Sequence, residues 1–261
     1  MPKVQSNGVN LYYEIKGEGQ PLVFIHGLGS STRDWEFQVP EFSKSYQVIT
    51  FDLRGHGQSD KPAGPYSMAM FAADTVGLLQ ALGVDAAHVV GLSLGGGIAF
   101  QLAVDAPTAV KTLSIVNSAP ELVVRSFKDQ VAIWQRLAIV RVLGMRKMGE
   151  VLSQRLFVKP EQDSLRQTFV ARWAENDQRA YLAALRAMIG WSVTARLGSI
   201  QCPTLVIAAD HDYTPVAFKE AYAAKIPRAQ FVTIADSRHA TPIEQPQPFN
   251  RALQEFWAKH T

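Results

Sequence analysis

Short apolar runs alternate along most of the chain with stretches in which apolar residues recur every few positions. The first pattern predicts buried strands and the second predicts helices. Strands are predicted at residues 9–15, 21–25, 46–51, 87–91, 111–116, 203–209 and 230–234, and helices at 33–42, 68–82, 93–107, 216–225 and 247–259. We expect the first two strands to pair antiparallel across the turn Gly17-Glu18-Gly19. The alternation that follows predicts an α/β fold, with a mostly parallel sheet flanked by helices.

The composition fits one large α/β domain, or one domain with an insertion. The chain has 261 residues, of which 47% are hydrophobic and 19% are charged, and its net charge is +3. So small and scattered an excess gives no reason to expect a nucleic-acid partner. The first residues are too polar for a secretory signal and no run of about 18 apolar residues occurs, so we expect a cytoplasmic protein without a membrane partner. The single Cys202 lies at the start of an apolar run and is expected to be a small buried residue.

The strongest chemical signal is Gly91-Leu92-Ser93-Leu94-Gly95, where a β-branched run ends and a helix begins. This G-x-S-x-G pattern predicts a nucleophile elbow, a sharp turn that lifts the Ser93 hydroxyl clear of the backbone. The helix that starts there points its N-terminal amides at the space above the serine oxygen, so the Leu94 N–H is a candidate oxyanion donor. The alternative is a glycine-rich helix entry without chemistry.

The loop His26-Gly27-Leu28-Gly29, after the second predicted strand, supplies a second candidate donor. If this loop lies beside Ser93, the Leu28 amide faces the same oxyanion, and the glycines let the backbone approach a substrate. The alternative is an ordinary connection from strand to helix. His26 adjoins a glycine turn and is expected to be a hydrogen-bonded scaffold residue rather than an acid or base.

The loop at residues 52–59, after the third predicted strand, is dense in charge and glycine. It lacks a base to accompany its carboxylate, so we interpret it as architecture. Asp52 and Arg54 are expected to brace the turn by charge-assisted hydrogen bonds, and His56 to occupy a turn position.

Three motifs, in this order and at matching intervals, resemble the α/β-hydrolase family: H-G-L-G at 26–29, D-L-R-G-H-G-Q-S at 52–59 and G-L-S-L-G-G at 91–96. The likeness covers residues from about 9 to 117 and resumes near 200. It is greatest to small cofactor-free serine esterases and lactonases, such as 3-oxoadipate enol-lactonases and the methyl esterases of pimeloyl carrier protein. Dehalogenases and epoxide hydrolases of the family carry aspartate where this chain has Ser93. The resemblance implies the α/β-hydrolase fold.

An acid and a base are expected to follow Ser93 in the chain order serine, acid, histidine. In related sequences a glycine closes the strand before the acid, and the aspartate follows three residues later. Ala209 stands in place of that glycine, which indicates Asp212. The loop after it is one residue shorter than usual in the family, so Asp210 remains an alternative. His239, in the loop after the last predicted strand, is the predicted base.

The alternation of strand and helix stops between residues 118 and 196, where only helical spacing continues. We predict a helical cap at 118–196, inserted into an α/β-hydrolase core formed by residues 1–117 and 197–261. Residues 120–196 contain 13 Lys and Arg against 7 Asp and Glu, a net charge of +6, so the rest of the chain carries −3. One hypothesis is that this charge steers an anionic substrate or an acidic carrier protein. The alternative is that the arginines solvate the outer faces of amphipathic helices.

The sequence therefore predicts a serine hydrolase that cleaves a small to medium carboxylic ester or lactone. Ser93 attacks the carbonyl, His239 carries the proton, Asp212 orients His239, and the amides of Leu28 and Leu94 hold the oxyanion. No spacing typical of metal ligands occurs, so neither a metal nor a cofactor is expected. Alternatives at the same triad are a carbon–carbon bond hydrolase and a cofactor-free perhydrolase. A further alternative is a small-molecule receptor with vestigial hydrolysis.

Overall fold

An eight-stranded sheet runs through the centre of the computed structural model, which describes residues 2–260. The strands are β1 (Lys3–Ser6), β2 (Val9–Lys16), β3 (Gln20–Ile25), β4 (Tyr46–Phe51), β5 (Ala87–Leu92), β6 (Val110–Val116), β7 (Thr204–Ala209) and β8 (Ala229–Ile234). Their order across the sheet is β1-β2-β4-β3-β5-β6-β7-β8. Only β2 runs antiparallel to its neighbours, and every other pair is parallel. The predicted mostly parallel sheet is confirmed.

The predicted pairing of the first two strands is wrong. β2 pairs with β1 and β4, whereas β3 lies between β4 and β5. Leu22, Val23, Phe24 and Ile25 are all buried, as expected of a central parallel strand that is covered on both faces. The short strand β1, which the pattern did not predict, takes the place at the edge.

The chain forms ten α-helices among the described residues, some of which cover the two faces of the sheet. They are α1 (Val39–Phe42), α2 (Met68–Ala81), α3 (Leu94–Asp105), α4 (Phe127–Ala138), α5 (Gly144–Leu156), α6 (Asp163–Ala174), α7 (Gln178–Met188), α8 (Val216–Ala223), α9 (Thr241–Glu244) and α10 (Pro246–Trp257). Leu22 and Phe24 pack on the face covered by α10, and Val23 and Ile25 pack on the face covered by α2 and α3. The helix predicted at 33–42 is instead a 3₁₀ turn, Thr32–Trp35, followed by α1. Pro40 cannot donate the backbone hydrogen bond that a continuous helix would need there.

Between β6 and β7 the chain forms the helices α4 to α7, which we call the helical insertion (residues 118–196). The insertion has no separate core. Met148, Trp173 and Tyr181 belong to the same buried cluster as Val23 and Ile25 of the sheet. Trp173 also contacts the loop after β3, since a Cβ added to Gly29 would lie 2.9 Å from its ring.

Candidate active site

Ser93 forms a tight, strained turn between β5 and α3. Its backbone has φ 55° and ψ −116°, a conformation that non-glycine residues rarely adopt and that costs about 1–3 kcal/mol. The Ser93 N–H donates to the Val116 carbonyl at 3.0 Å, which ties the turn to β6. A Cβ on Gly91 would collide with the Gly95 carbonyl oxygen, and one on Gly95 with the Ile25 carbonyl oxygen. The G-x-S-x-G spacing is therefore a packing requirement of this turn.

The loop after β3 lies directly beside the serine. A Cβ added to Gly27 would be 3.6 Å from the Ser93 Cβ. Among the described residues, neither the Leu28 N–H nor the Leu94 N–H meets a hydrogen-bond acceptor. Leu94 is the first residue of α3, so its amide belongs to the positive end of the helix dipole. Both amides are available to an oxygen bound near Ser93.

His26 is a scaffold residue in this loop. Its Nε2 accepts from the Leu53 N–H at 3.0 Å, and its Nδ1 donates to the Gly27 carbonyl at 2.7 Å. The ring is fully buried, and burial lowers the pKa of His26 to about 4. A neutral imidazole with both nitrogens engaged has no free site with which to accept a proton from a substrate.

Asp52 braces this turn as predicted, but Arg54 does not, and the two side chains form no ion pair with each other. Asp52 accepts from the backbone N–H of Thr32 at 2.8 Å and of Gln58 at 2.7 Å. Arg54 reaches α2, where it forms a two-pronged ion pair with the buried Asp74. A guanidinium fork satisfies a buried carboxylate better than a turn carboxylate already held by amides, so the two charges separate.

Asp212 contacts His239 at the carboxyl edge of the sheet, whereas Asp210 does not. Asp212 Oδ1 lies 2.7 Å from His239 Nδ1, and the Asp212 side chain is completely buried. Asp210 accepts from the backbone N–H of Asp236 at 2.9 Å and of Ser237 at 3.0 Å, so it holds the histidine loop together. Burial raises the pKa of Asp212, but the hydrogen bond and charge of His239 and the nearby Lys219 charge outweigh it, so the net shift is downward.

Ser93 and His239 line one cavity of about 310 Å³. They form no hydrogen bond with each other in this structure, a common situation in unliganded sites, where such contacts tighten when substrate binds. The Tyr213 ring stacks on the imidazole with centroids 4.2 Å apart. The insertion supplies most of the apolar lining: Leu122, Leu152, Leu156, Phe169, Trp173, Leu185, Met188 and Trp191.

One basic residue of the insertion, Arg136 on α4, lines this cavity among the described residues. Its Nε donates to the Tyr181 hydroxyl at 2.7 Å, and its guanidinium carbon lies 5.7 Å from the Tyr181 ring centre. Glu121 lines the cavity as well, but its carboxylate already accepts hydrogen bonds from Arg125 and from the hydroxyls of Ser192 and Thr194. Other cations of the insertion pair with surface carboxylates, as Arg172 does with Glu36. Arg141, Arg146, Arg155, Arg179 and Arg186 are exposed, so the excess positive charge of the insertion lies mostly on its outer surface.

Two residues around His239 were missed by sequence reasoning. Asn117, at the end of β6, donates to the carbonyls of Arg238 and His239, each at 3.1 Å. Lys219 on α8 is completely buried against Asp212. Lys219 lies three positions before the buried Tyr222, on the same face of α8. A lysine on the apolar face of a helix was the one sequence signal that could have identified it.

A second cavity of about 370 Å³ adjoins the first but does not include Ser93. Asp34 lies between the two cavities. Burial raises the pKa of this carboxyl to about 6, although its hydrogen bond to Ser30 acts in the opposite direction.

Within residues 2–260, no three His, Cys, Asp or Glu side chains are placed to hold a metal ion. None of the described helices combines the length and apolarity needed to cross a bilayer.

A strained serine between a strand and a helix, at the carboxyl edge of a mostly parallel sheet, defines a class of hydrolase folds. The model of the alpha/beta hydrolase fold family matches residues 20–246. The chain therefore belongs to the alpha/beta hydrolase family.

Its relatives within this family have different named activities. The chain is 31% identical, over 98% of both chains, to a protein of Azorhizobium caulinodans that is named as a carbamate hydrolase, RutD. It is 30% identical to 3-oxoadipate enol-lactonase 1 of Acinetobacter baylyi, over 95% of this chain and 93% of that one. The crystal structure of the enol-lactonase from Burkholderia xenovorans LB400 superposes with a TM-score of 0.92 at 26% identity, covering 98% of this chain and 100% of that one. These relatives support hydrolysis in general and leave the substrate open.

Proposed function

We propose that the protein hydrolyses a small to medium carboxylic ester or lactone through an acyl-enzyme intermediate on Ser93. The observation that carries this proposal is the 2.7 Å contact between buried Asp212 and His239, in the same cavity as the strained Ser93. A carboxylate at Nδ1 fixes the imidazole tautomer that leaves Nε2 free to accept a proton. Named enol-lactonases among the relatives support ester or lactone chemistry.

In the proposed reaction the Ser93 oxygen attacks the carbonyl carbon as His239 Nε2 takes the hydroxyl proton. The tetrahedral oxyanion accepts hydrogen bonds from the Leu28 and Leu94 amides, which meet no other acceptor among the described residues. The imidazolium then gives its proton to the leaving oxygen, and the ester bond breaks. Water, deprotonated by His239, releases the acyl group by the same steps. Removing one such oxyanion donor typically lowers kcat by about 10²- to 10³-fold.

The substrate in this proposal carries a negative charge distant from the reacting carbonyl. Arg136 places a guanidinium on the wall of an otherwise largely apolar cavity, and within residues 2–260 only its Nε is engaged, by Tyr181. The remaining N–H groups form the planar fork that binds a carboxylate. The helical insertion acts as the cap that encloses the acyl chain.

The proposal is tested with a panel of esters and lactones of increasing acyl length, alongside carbamates, using the wild-type protein and Ser93→Ala. We expect turnover of at least one ester or lactone by the wild type and none by the variant. Turnover that survives in the variant would overturn the mechanism. Tight binding without turnover would favour a receptor, and faster cleavage of carbamates than of esters would change the substrate class.

A further inference from the structure

Lys219 is a completely buried lysine whose ammonium lies beneath the candidate active site. Its Nζ is 2.5 Å from Asp212 Oδ2 and 3.3 Å from Asn117 Oδ1, and both ends of its ion pair with Asp212 are inaccessible to solvent. A lysine is almost never fully buried unless it is paired, because taking the charge out of water is costly. The fold therefore holds this cation in one place.

Asp212 is shared between two partners. Oδ1 faces His239 Nδ1 at 2.7 Å and also accepts from the Tyr213 N–H at 2.8 Å, whereas Oδ2 faces the ammonium of Lys219. When His239 is neutral, the three side chains sum to zero charge. When His239 is protonated, they sum to +1, in a site where the cation cannot move away.

Asn117 fixes the cation relative to the histidine loop. Its Oδ1 accepts from the Ala209 N–H at 2.8 Å as well as from Lys219, and its Nδ2 donates to the carbonyls of Arg238 and His239. One amide thus joins the end of β7, α8 and the loop that carries the base.

Other groups around His239 do not provide the same effect. Tyr213 stacks on the ring and Tyr222 donates to the Ser118 carbonyl at 3.0 Å, but phenols do not change charge in the acidic range. Among the described residues, the charged groups on the elements around it include Arg136, across the cavity beside Tyr181, and Asp210, held by the backbone N–H of Asp236 and Ser237. Glu244 on α9 accepts from the Arg238 N–H at 2.9 Å, and burial raises its pKa to about 7, but every variant compared below retains it. Lys219 is the cation that shares a carboxylate with the imidazole.

We infer that Lys219 is a positioning residue that sets the pH at which His239 becomes protonated, and that it extends activity to lower pH by opposing this protonation. The inference rests on the proposed function, in which neutral His239 is the base. Burial lowers the pKa of Lys219, and the Asp212 charge opposes that shift. The same ammonium helps to keep Asp212 ionised despite its burial.

The test compares kcat/KM against pH for the wild type and four variants. Lys219→Gln removes the charge but can still donate to Asp212, Lys219→Met removes both, and Lys219→Arg keeps both. Lys225→Gln makes the same change of charge at an exposed position near the end of the same helix. We expect the acidic limb of the neutral Lys219 variants to move up by about one pH unit, since a charge within a few ångströms shifts a titration by that order. The limbs of Lys219→Arg and Lys225→Gln should coincide with that of the wild type.

Lys219→Gln could lower the maximum kcat/KM or the melting temperature while the acidic limb of the kcat/KM profile stays where it is in the wild type. That result would overturn the inference and leave Lys219 a purely structural role. Failure of both neutral variants to fold, while Lys219→Arg folds, would overturn it as well, because the charge would then serve the fold. An NMR titration of the His239 ring proton reads the same protonation without turnover. If the wild type hydrolyses nothing, the proposed function fails, whereas the NMR midpoints of wild type and Lys219→Gln still decide the role of Lys219.

Discussion

Asp212 Oδ1 lies 2.7 Å from His239 Nδ1, whereas Asp210 is bonded to the backbone of the loop that carries the histidine. The two aspartates are a matched pair of the same type, two positions apart. We predict that Asp212→Asn lowers kcat by about 10³- to 10⁴-fold, because an amide at Nδ1 favours the wrong imidazole tautomer. Asp210→Asn should lower kcat by less than about 10-fold and act mainly on the melting temperature.

Steady-state kinetics and thermal unfolding of both variants check this prediction. A large loss of kcat in Asp210→Asn, with Asp212→Asn close to wild type, would reverse the assignment of the acid.

Gly95 is predicted to tolerate no side chain. A Cβ there would collide with the backbone carbonyl of Ile25 on β3, and a central strand cannot give way as a flexible side chain can. Gly95→Ala should therefore unfold the protein, or lower its free energy of unfolding by several kcal/mol. Gly198→Ala is the control, since a Cβ at that position meets nothing within 4 Å. Equal urea midpoints for the two variants would contradict this account of the elbow.

Arg136→Gln tests the charge preference of the cavity. We expect KM for an ester that carries a distal carboxylate to rise about 10-fold or more, because the charge-assisted bidentate contact is lost. KM for a neutral ester of the same length should change little. Arg172→Gln, which removes a cation already paired with Glu36 at the surface, is the control. If Arg136→Gln affects both esters equally, Arg136 shapes the cavity without selecting charge.

His56 should make the fold sensitive to acid. Burial lowers its pKa to about 3, against about 6.5 for an unfolded imidazole, so unfolding takes up one proton between these values. Stability contributed by neutral His56 is present above pH 6.5 and is lost as the pH falls, at about 1.4 kcal/mol per pH unit.

Urea unfolding of the wild type and His56→Gln from pH 6 to pH 4 measures this slope. The slope should be smaller by about one proton in the variant, and unchanged in His211→Gln, whose side chain is 57% exposed. An identical slope in His56→Gln and wild type would exclude the linkage.

Much of the fold and of the candidate site could be predicted from short stretches of the sequence. Each buried run became a strand within a residue or two, and the glycine spacing around Ser93 identified the elbow, because both signals depend on neighbours in the chain. The pairing of β2 with β4 depended on tertiary contacts that no short window contains. The same applies to Arg54, whose partner Asp74 lies on a different element.

The choice between Asp210 and Asp212 also required the structure. Both follow β7, and which of them contacts the imidazole depends on the path of the loop. The role of Lys219 could not be predicted from the sequence for a different reason. A lysine on a helix is ordinarily solvated, and only the fold shows that this one is buried against a carboxylate.

The nucleophile is the centre of the account, and intact-protein mass spectrometry after reaction with a fluorophosphonate tests it most directly. The account predicts one adduct per chain, located on the peptide that contains Ser93, with loss of all ester hydrolysis in proportion to labelling. Ser93→Ala should remain unlabelled. An adduct on another residue, or hydrolysis that persists in fully labelled protein, would contradict the assignment of Ser93 as the nucleophile.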